Sequence, residues 1–82
     1  MLSSNQVKRY DITDMETKFK DIREKNGYTQ TQMANKLGMT LGNYQKYEYG
    51  NRTSVPYKVI ADFCKISNCT PNDIFVLEPV AA

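Results

Sequence analysis

Residues 29–49, TQTQMANKLGMTLGNYQKYEY, carry the signals of two short helices joined by a tight turn. Thr29 and Gln32 have the spacing of a capping box, in which the threonine hydroxyl accepts a hydrogen bond from the third helical amide while the glutamine reaches back. Gly38 suits the end of the first helix because glycine readily adopts the left-handed conformation. Thr40 suits the start of the second helix as its N-cap. The stretch therefore predicts a helix-turn-helix.

Another helix is expected before this stretch. Residues 13–16, TDME, have the order of a second capping box, so the sequence predicts a helix that begins at Thr13 or Asp14. Apolar residues then recur at helical spacing. Gly27 is expected to end this helix.

Two more helices are expected after it. Pro56 suits a first helical turn, where its missing N–H costs nothing, and Asn68 suits the end of that helix in the left-handed conformation. Residues 70–73, TPND, then start a short last helix. The predicted fold class is all-α, a five-helix domain over residues 13–77 whose helices two and three form the helix-turn-helix. Residues 78–82 are expected to be a tail.

The segment before the domain, residues 1–12, has two interpretations. Residues 7–12, VKRYDI, fit either a short strand or a flexible arm. Lys8 and Arg9 have the charge of an arm that follows a DNA duplex, whereas in a lead-in segment they would only be solvated. Both interpretations stay open from the sequence.

Composition and charge limit the possible functions. The 82 residues have room for one domain and one core. The net charge of +2 is small, but basic residues outnumber the single acid in residues 39–58, so the positive field is expected in the middle of the chain. No apolar run approaches a membrane span and the N-terminus lacks the layout of a signal peptide. No membrane partner and a cytoplasmic location are therefore expected.

Reactive and metal-binding side chains are scarce. The chain has no histidine and two cysteines, Cys64 and Cys69. A zinc site cannot be completed without a histidine or a second cysteine pair, so both cysteines are expected in the core rather than in a metal site or a disulfide. No serine or cysteine has an evident base near it, and no glycine-rich phosphate loop is present. Neither an enzyme nor a cofactor is expected.

The order of residues from Phe19 to Phe75 resembles the lambda-repressor-like, or Xre/Cro, helix-turn-helix family. The matching parts, in order, are Ile22-Arg23, Gly27-Tyr28-Thr29-Gln30, Met33-Ala34, Leu37-Gly38, Tyr44-Gln45-Lys46-Tyr47-Glu48, Gly50 and Asn68-Cys69-Thr70-Pro71-Asn72-Asp73-Ile74. Each of these parts alone is weak evidence for the family, but the whole set in this order is specific to it. The resemblance implies double-stranded DNA as the partner, with helix two across the backbone and helix three in the major groove.

The resemblance also implies which residues read the bases. These are Thr40, Leu41, Gly42, Asn43 and Lys46. Leu41 and Gly42 depart from many relatives, which carry a long polar side chain there, and neither can make a bidentate contact to adenine or guanine. Leu41 either packs on a thymine methyl group or fastens the start of helix three to the core. Asn43 and Lys46 are expected to read an adenine or guanine edge.

Phosphate contacts are expected beside these positions. The resemblance implies one at Gln30, where the helix N-terminus adds its amides and its dipole, with capping alone as the alternative. Asn51, Arg52 and Thr53 follow helix three along one edge, and Tyr49 is expected near the sugar-phosphate backbone. Such contacts add affinity without reading sequence.

Two expectations concern internal structure and assembly. Arg23 and Glu48 occupy positions that form an ion pair in many relatives, and the alternative is two unrelated solvated charges. A monomer with few phosphate contacts binds weakly at physiological salt, so a homodimer is expected, as the resemblance also implies. Its surface is expected at the segment Phe75, Val76 and Leu77, which in the alternative interpretation are core and tail.

These inferences lead to one main functional hypothesis and one alternative. The first is a small phage-type transcriptional regulator, a repressor that binds a short near-palindromic operator as a homodimer through helix three. The alternative keeps the fold but makes the chain a protein-interaction module, such as an antirepressor, an antitoxin or a partner of a larger regulator. The apolar and side-chain-poor pair Leu41 and Gly42 motivates it.

Overall fold

The computed structural model of the chain describes residues 9–13, 15–50 and 52–77. Its elements in chain order are β1 (Arg9–Asp11), β2 (Met15–Thr17), α1 (Phe19–Lys25), α2 (Gln30–Leu37), α3 (Leu41–Glu48), β3 (Ser54–Pro56), α4 (Tyr57–Ser67), α5 (Pro71–Ile74) and β4 (Phe75–Leu77). The prediction of five helices is confirmed. The all-α label is not, because two short antiparallel sheets accompany the helices in these residues, β1 with β3 and β2 with β4.

The N-terminal part of the described chain is extended rather than helical. Strand β1 pairs with β3, with Tyr10 opposite Val55, so the strand interpretation holds for Arg9–Asp11. Other predictions lie outside the described residues: those for Lys8 and most of residues 1–12, the helix start at Asp14, the phosphate contact at Asn51 and the tail at 78–82.

The first helix begins later than the sequence indicates. Residues Met15–Thr17 form β2 and pair with β4, so that Glu16 lies opposite Val76. The backbone N–H of Thr13 donates to the side chain of Asp11 at 2.9 Å, which is the hydrogen bond of an Asx turn. The predicted start at Thr13 is therefore wrong. Residues that cap helices also form turns, and the strand that pairs with β2 lies far along the chain, where a local pattern cannot show it.

The helix-turn-helix has the predicted local structure. The Gln32 backbone N–H donates to the Thr29 hydroxyl at 3.1 Å, and the Gln32 side chain accepts from the Thr29 backbone N–H at 2.9 Å. Gly38 ends α2 with φ +73°, in the left-handed region. The hydroxyl of Thr40 then accepts from the backbone N–H of Asn43 at 3.2 Å and starts α3. The three caps hold α2 and α3 in the order that the sequence predicts.

The last two helices also follow their start and stop signals. Pro56 directly precedes α4 as its N-cap, one residue before the predicted first turn, and Asn68 ends α4 with φ +53°. Thr70 and Asp73 form a capping box on α5. This helix ends at Ile74, because the chain then continues as the strand that pairs with β2.

The core lies beneath the helix-turn-helix and is centred on Phe19. The Phe19 ring packs edge-on against Phe63 at 4.9 Å and against Phe75 at 5.8 Å between ring centroids. Cys64 and Cys69 are free, half-buried thiols packed against this core. None of the helices in the described residues is long and apolar enough to cross a membrane. One core therefore joins α1, α4 and β4 under the two helices of the motif.

Candidate nucleic-acid interface

A buried ion pair joins α1 to the end of α3. The Arg23 Nε atom lies 2.6 Å from Oε2 of Glu48, and the two side chains are 9% and 0% exposed. Arg23 Nη1 also donates to the backbone carbonyl of Tyr28 at 2.8 Å, which ties the pair to the turn before α2. The pair expected from the resemblance is thus present, and it holds three segments of the chain together.

Two more side chains complete the shell around the Glu48 carboxylate. The Tyr44 hydroxyl donates to Oε2, and the Gln30 amide donates to Oε1 at 2.9 Å. Gln45 in turn donates to the Gln30 carbonyl oxygen at 3.0 Å. These bonds fix the N-terminal end of α2 against α3, so the angle between the two helices depends on buried polar contacts as well as on apolar packing.

The protonation state of this cluster follows from its contacts. Burial alone raises the pKa of the Glu48 carboxyl, but hydrogen bonds from Arg23, Tyr44 and Gln30 and the charge of Arg23 outweigh burial, so the pKa is lowered. Burial first, and then the bond to Glu48, raise the pKa of Tyr44. At neutral pH the cluster therefore holds an ionised glutamate, a charged arginine and a neutral tyrosine.

Gln30 is an internal brace in the free chain. Its amide nitrogen donates to Glu48 and, at 3.4 Å, to the hydroxyl of Tyr49, and its oxygen accepts from Gln45. Neither sequence interpretation, phosphate contact or capping alone, includes these bonds. Tyr49 is 60% exposed, and its ring lies free of the core.

The outer face of α3 is largely exposed. Thr40, Gly42 and Lys46 are exposed, and Asn43 is half-buried between them. Leu41 is 39% exposed and does not belong to the core cluster, so it is free to contact a partner. A Cβ atom added at Gly42 would meet nothing within 4 Å, so the packing of the chain itself does not require a glycine there. The five predicted base-reading positions thus form one accessible surface.

Arg52 lies inward, against α3. Its Nη2 atom donates to Oδ1 of Asn43, and its guanidinium lies over the Tyr47 ring, 4.6 Å from the centroid. Thr53 is exposed, and its backbone carbonyl accepts a hydrogen bond from the backbone N–H of Ile12 at 2.8 Å. Sequence reasoning missed the contact between Arg52 and Asn43. Only the basic character of Arg52 was visible in the sequence, and basic character indicates a phosphate contact equally well.

The predicted dimer residues have different surroundings. Phe75 is buried and its ring packs 4.9 Å from that of Tyr10, so the core interpretation holds for it. Val76 is half-buried, and the backbone of Leu77 pairs with that of Met15. Their role in a dimer stays a prediction.

The chain was compared with known families and proteins. A family model described as the Cro/C1-type HTH DNA-binding domain matches residues 18–80, which is most of the chain. The match begins next to α1 and includes every element from there to β4, with the helix-turn-helix at its centre. A search among curated proteins found no match.

Proposed function

Since the chain belongs to the Cro/C1-type family of helix-turn-helix DNA-binding domains, we propose that it is a repressor that binds a short, near-palindromic operator as a homodimer. Helix α3 enters the major groove and α2 lies across the backbone. The observation that carries the proposal is the accessible face of α3, on which Asn43 and Lys46 stand one turn apart above a braced framework. Rigid support of this kind is what a reading helix needs, because a small displacement would break the contacts with base edges.

In this proposal the residues on the face of α3 make different kinds of contact with the bases. Thr40, Asn43 and Lys46 supply hydrogen bonds to base edges, and Leu41 supplies an apolar contact to a thymine methyl group. Gly42 lets the backbone approach the groove closely. Phosphate contacts come from the edges, at Gln30, Tyr49, Asn51 and Thr53, and they set the register of the protein on the duplex.

The homodimer is proposed to form around α5 and β4. An apolar groove of about 460 Å³ lies beside them, lined by residues that include Tyr57, Ile60, Pro71 and Phe75. Tyr57 lies at the rim of this groove and is 50% exposed, so its side chain is accessible to a second copy of the chain. Sedimentation of the wild-type chain and of Tyr57→Ser tests this part. A wild-type chain that stays monomeric at high concentration, alone and with DNA, would refute it.

The DNA-binding proposal is tested by fluorescence anisotropy on duplexes selected from a random library. We expect Asn43→Ala to reduce the affinity for the selected site. It should also lower the preference for the correct base at the base pair that Asn43 contacts, by about tenfold or more. Lys46→Ala is expected to weaken binding and, if it also neutralises a phosphate, to lower the salt slope by about 0.9. Lys65→Ala is the matched control, because it removes the same charge from an exposed position of α4, outside the motif. Wild-type binding without sequence preference at any salt concentration would refute the proposal.

The exposed Leu41 beside Gly42 favours a second candidate, a protein-interaction module of the same fold. In that case the face of α3 contacts a protein, such as a larger regulator. Leu41→Ser should then abolish capture of the partner while Asn43→Ala leaves it intact. Under the first proposal Asn43→Ala should weaken binding to DNA more than Leu41→Ser does, because Asn43 carries more of the base recognition than Leu41.

A further inference from the structure

Arg52 and Asn43 form a hydrogen-bonded pair beside α3, and Asn43 is one of the proposed base-reading residues. Arg52 follows α3 in the chain, and its Nη2 atom donates to Oδ1 of Asn43. The guanidinium also lies over the ring of Tyr47, which is itself buried in the core. The Nε atom of Arg52 is buried and has no hydrogen-bond partner among the described residues. The arginine is therefore held by the ring and by Asn43.

This contact fixes which end of the Asn43 amide faces Arg52. A guanidinium has only donors, so the atom that it contacts must be the carbonyl oxygen of asparagine, and the NH₂ group must lie on the other side. The backbone of Asn43 is fixed as well, because its N–H donates to the hydroxyl of the N-cap Thr40 at 3.2 Å. The side chain thus has one preferred orientation before any ligand arrives.

That orientation matters for base recognition. An asparagine that reads adenine uses its oxygen to accept from N6 and its NH₂ group to donate to N7. Arg52 already donates to this oxygen, and the positive charge beside the oxygen disfavours a second donor such as adenine N6, so the NH₂ group is the end that is left for a base. In the major groove guanine presents two acceptors, O6 and N7, to that group, whereas adenine presents N7 beside its N6 donor.

We propose that Arg52 is a positioning residue that sets the specificity of Asn43, so that Asn43 selects guanine over adenine at the base pair it contacts. The inference rests on the proposed function in one respect, that Asn43 faces DNA. It replaces the role that the basic character of Arg52 indicates, a phosphate contact. The two roles have different signatures. Loss of a phosphate contact weakens binding to all sequences alike and lowers the salt slope by about 0.9, whereas loss of positioning changes the preference at one base pair.

The substitution Arg52→Lys separates them. Lysine keeps the positive charge that a phosphate needs, but it lacks the planar fork that lies on Tyr47 and bonds Asn43 at the same time. Arg52→Met removes the charge and keeps the length of the side chain. Asn43→Ala identifies the base pair in question, and Lys65→Ala is the control for a lost charge. Circular dichroism melts confirm that each variant is folded at the temperature of the assay.

The experiment selects binding sites from a random duplex library with each variant and compares the base preference at every position. We expect the wild type to prefer guanine over adenine by about tenfold or more at the position where Asn43→Ala loses its preference. Both Arg52 variants should lose that preference, and Arg52→Lys should keep the wild-type salt slope. Retained preference in both Arg52 variants, or a wild-type preference for adenine, would overturn the inference.

A measurement on the free protein checks the contact without DNA. The side-chain NH₂ resonances of Asn43 should shift between the wild type and Arg52→Lys, and they should stay unchanged in Lys65→Ala. Unchanged resonances in Arg52→Lys refute the inference and leave the proposed function standing. A wild-type chain that selects no sequence refutes both.

Discussion

Replacing Glu48 with glutamine tests the buried cluster that joins α1, α2 and α3. Glutamine has nearly the shape of glutamate, so the substitution leaves no cavity. It does remove the carboxylate that contacts Arg23 Nε, and a guanidinium cannot lose its proton in a protein. Among the described residues, the buried Arg23 would then keep only the exposed Glu24, 3.8 Å from Nη2, as an acidic partner, and the Tyr44 and Gln30 side chains would lose a charged acceptor.

The expected loss is large relative to the stability of so small a domain. Breaking a buried pair by removing one partner costs about 3 to 5 kcal/mol. A chain of 82 residues is expected to have a free energy of unfolding of about 4 to 12 kcal/mol. The Glu48→Gln variant should therefore unfold at much lower urea concentration, and a domain near the lower end of that range would be largely unfolded in buffer.

Urea unfolding followed by circular dichroism at 25 °C measures the effect. Asp62→Asn is the matched control, because Asp62 pairs at 2.7 Å with the highly exposed Lys58 and exposed pairs contribute about 1 kcal/mol or less. The double variant Arg23→Met, Glu48→Met should regain part of the loss, since no unpaired charge is left buried. If Glu48→Gln loses no more stability than Asp62→Asn, the buried pair does not hold the domain together and the argument fails.

Three other predictions concern pH, the turn and a cap. Folding lowers the pKa of the Glu48 carboxyl from about 4.5. Its contribution to the free energy of unfolding is therefore complete above that pH and is lost as the pH falls through the lower folded pKa. Urea unfolding at a series of acid pH values should show a free energy of unfolding that depends less on pH in Glu48→Gln than in the wild type. Gly38→Ala should lower the free energy of unfolding by about 1 to 2 kcal/mol through backbone strain alone, because φ is +73° there and nothing lies within 4 Å of the added Cβ. Gly42→Ala in α3 should raise it by up to about 1 kcal/mol, because alanine favours a helix more than glycine does. Equal urea midpoints for the two variants would contradict this prediction. Thr29→Ala should cost about 1 kcal/mol by removing the cap of α2, and a melting temperature equal to that of the wild type would show that the capping box contributes nothing.

The sequence alone was sufficient for the helix-turn-helix. Thr29, Gly38 and Thr40 act on backbone groups within a few residues of themselves, so their spacing predicts where α2 and α3 begin and end. Asn68 acts in the same way at the end of α4. Signals of this kind are readable because both partners of each hydrogen bond lie in one short window of the chain.

The buried ion pair of the candidate site was predictable, but most of the other contacts were not. Resemblance to a family predicted a base-reading face on α3, which stays a prediction, and an ion pair between Arg23 and Glu48, which is present. It gave no sign that Gln30 braces Glu48 or that Arg52 turns inward over Tyr47. A side chain with several polar groups has many possible partners, and the choice among them depends on which groups the folded chain brings within about 3 Å.

Tertiary structure alone decided the conformation of Met15–Thr17. The local pattern TDME favours a helix start, yet Met15–Thr17 pairs with Phe75–Leu77 as a strand. The pairing satisfies backbone N–H and C=O groups of both segments at once and places Phe75 against Phe19 in the core. The helix-turn-helix is thus encoded by hydrogen bonds between near neighbours in the sequence. The strands around it, and the orientation of the Asn43 side chain on α3, depend on residues that become neighbours only after the chain has folded.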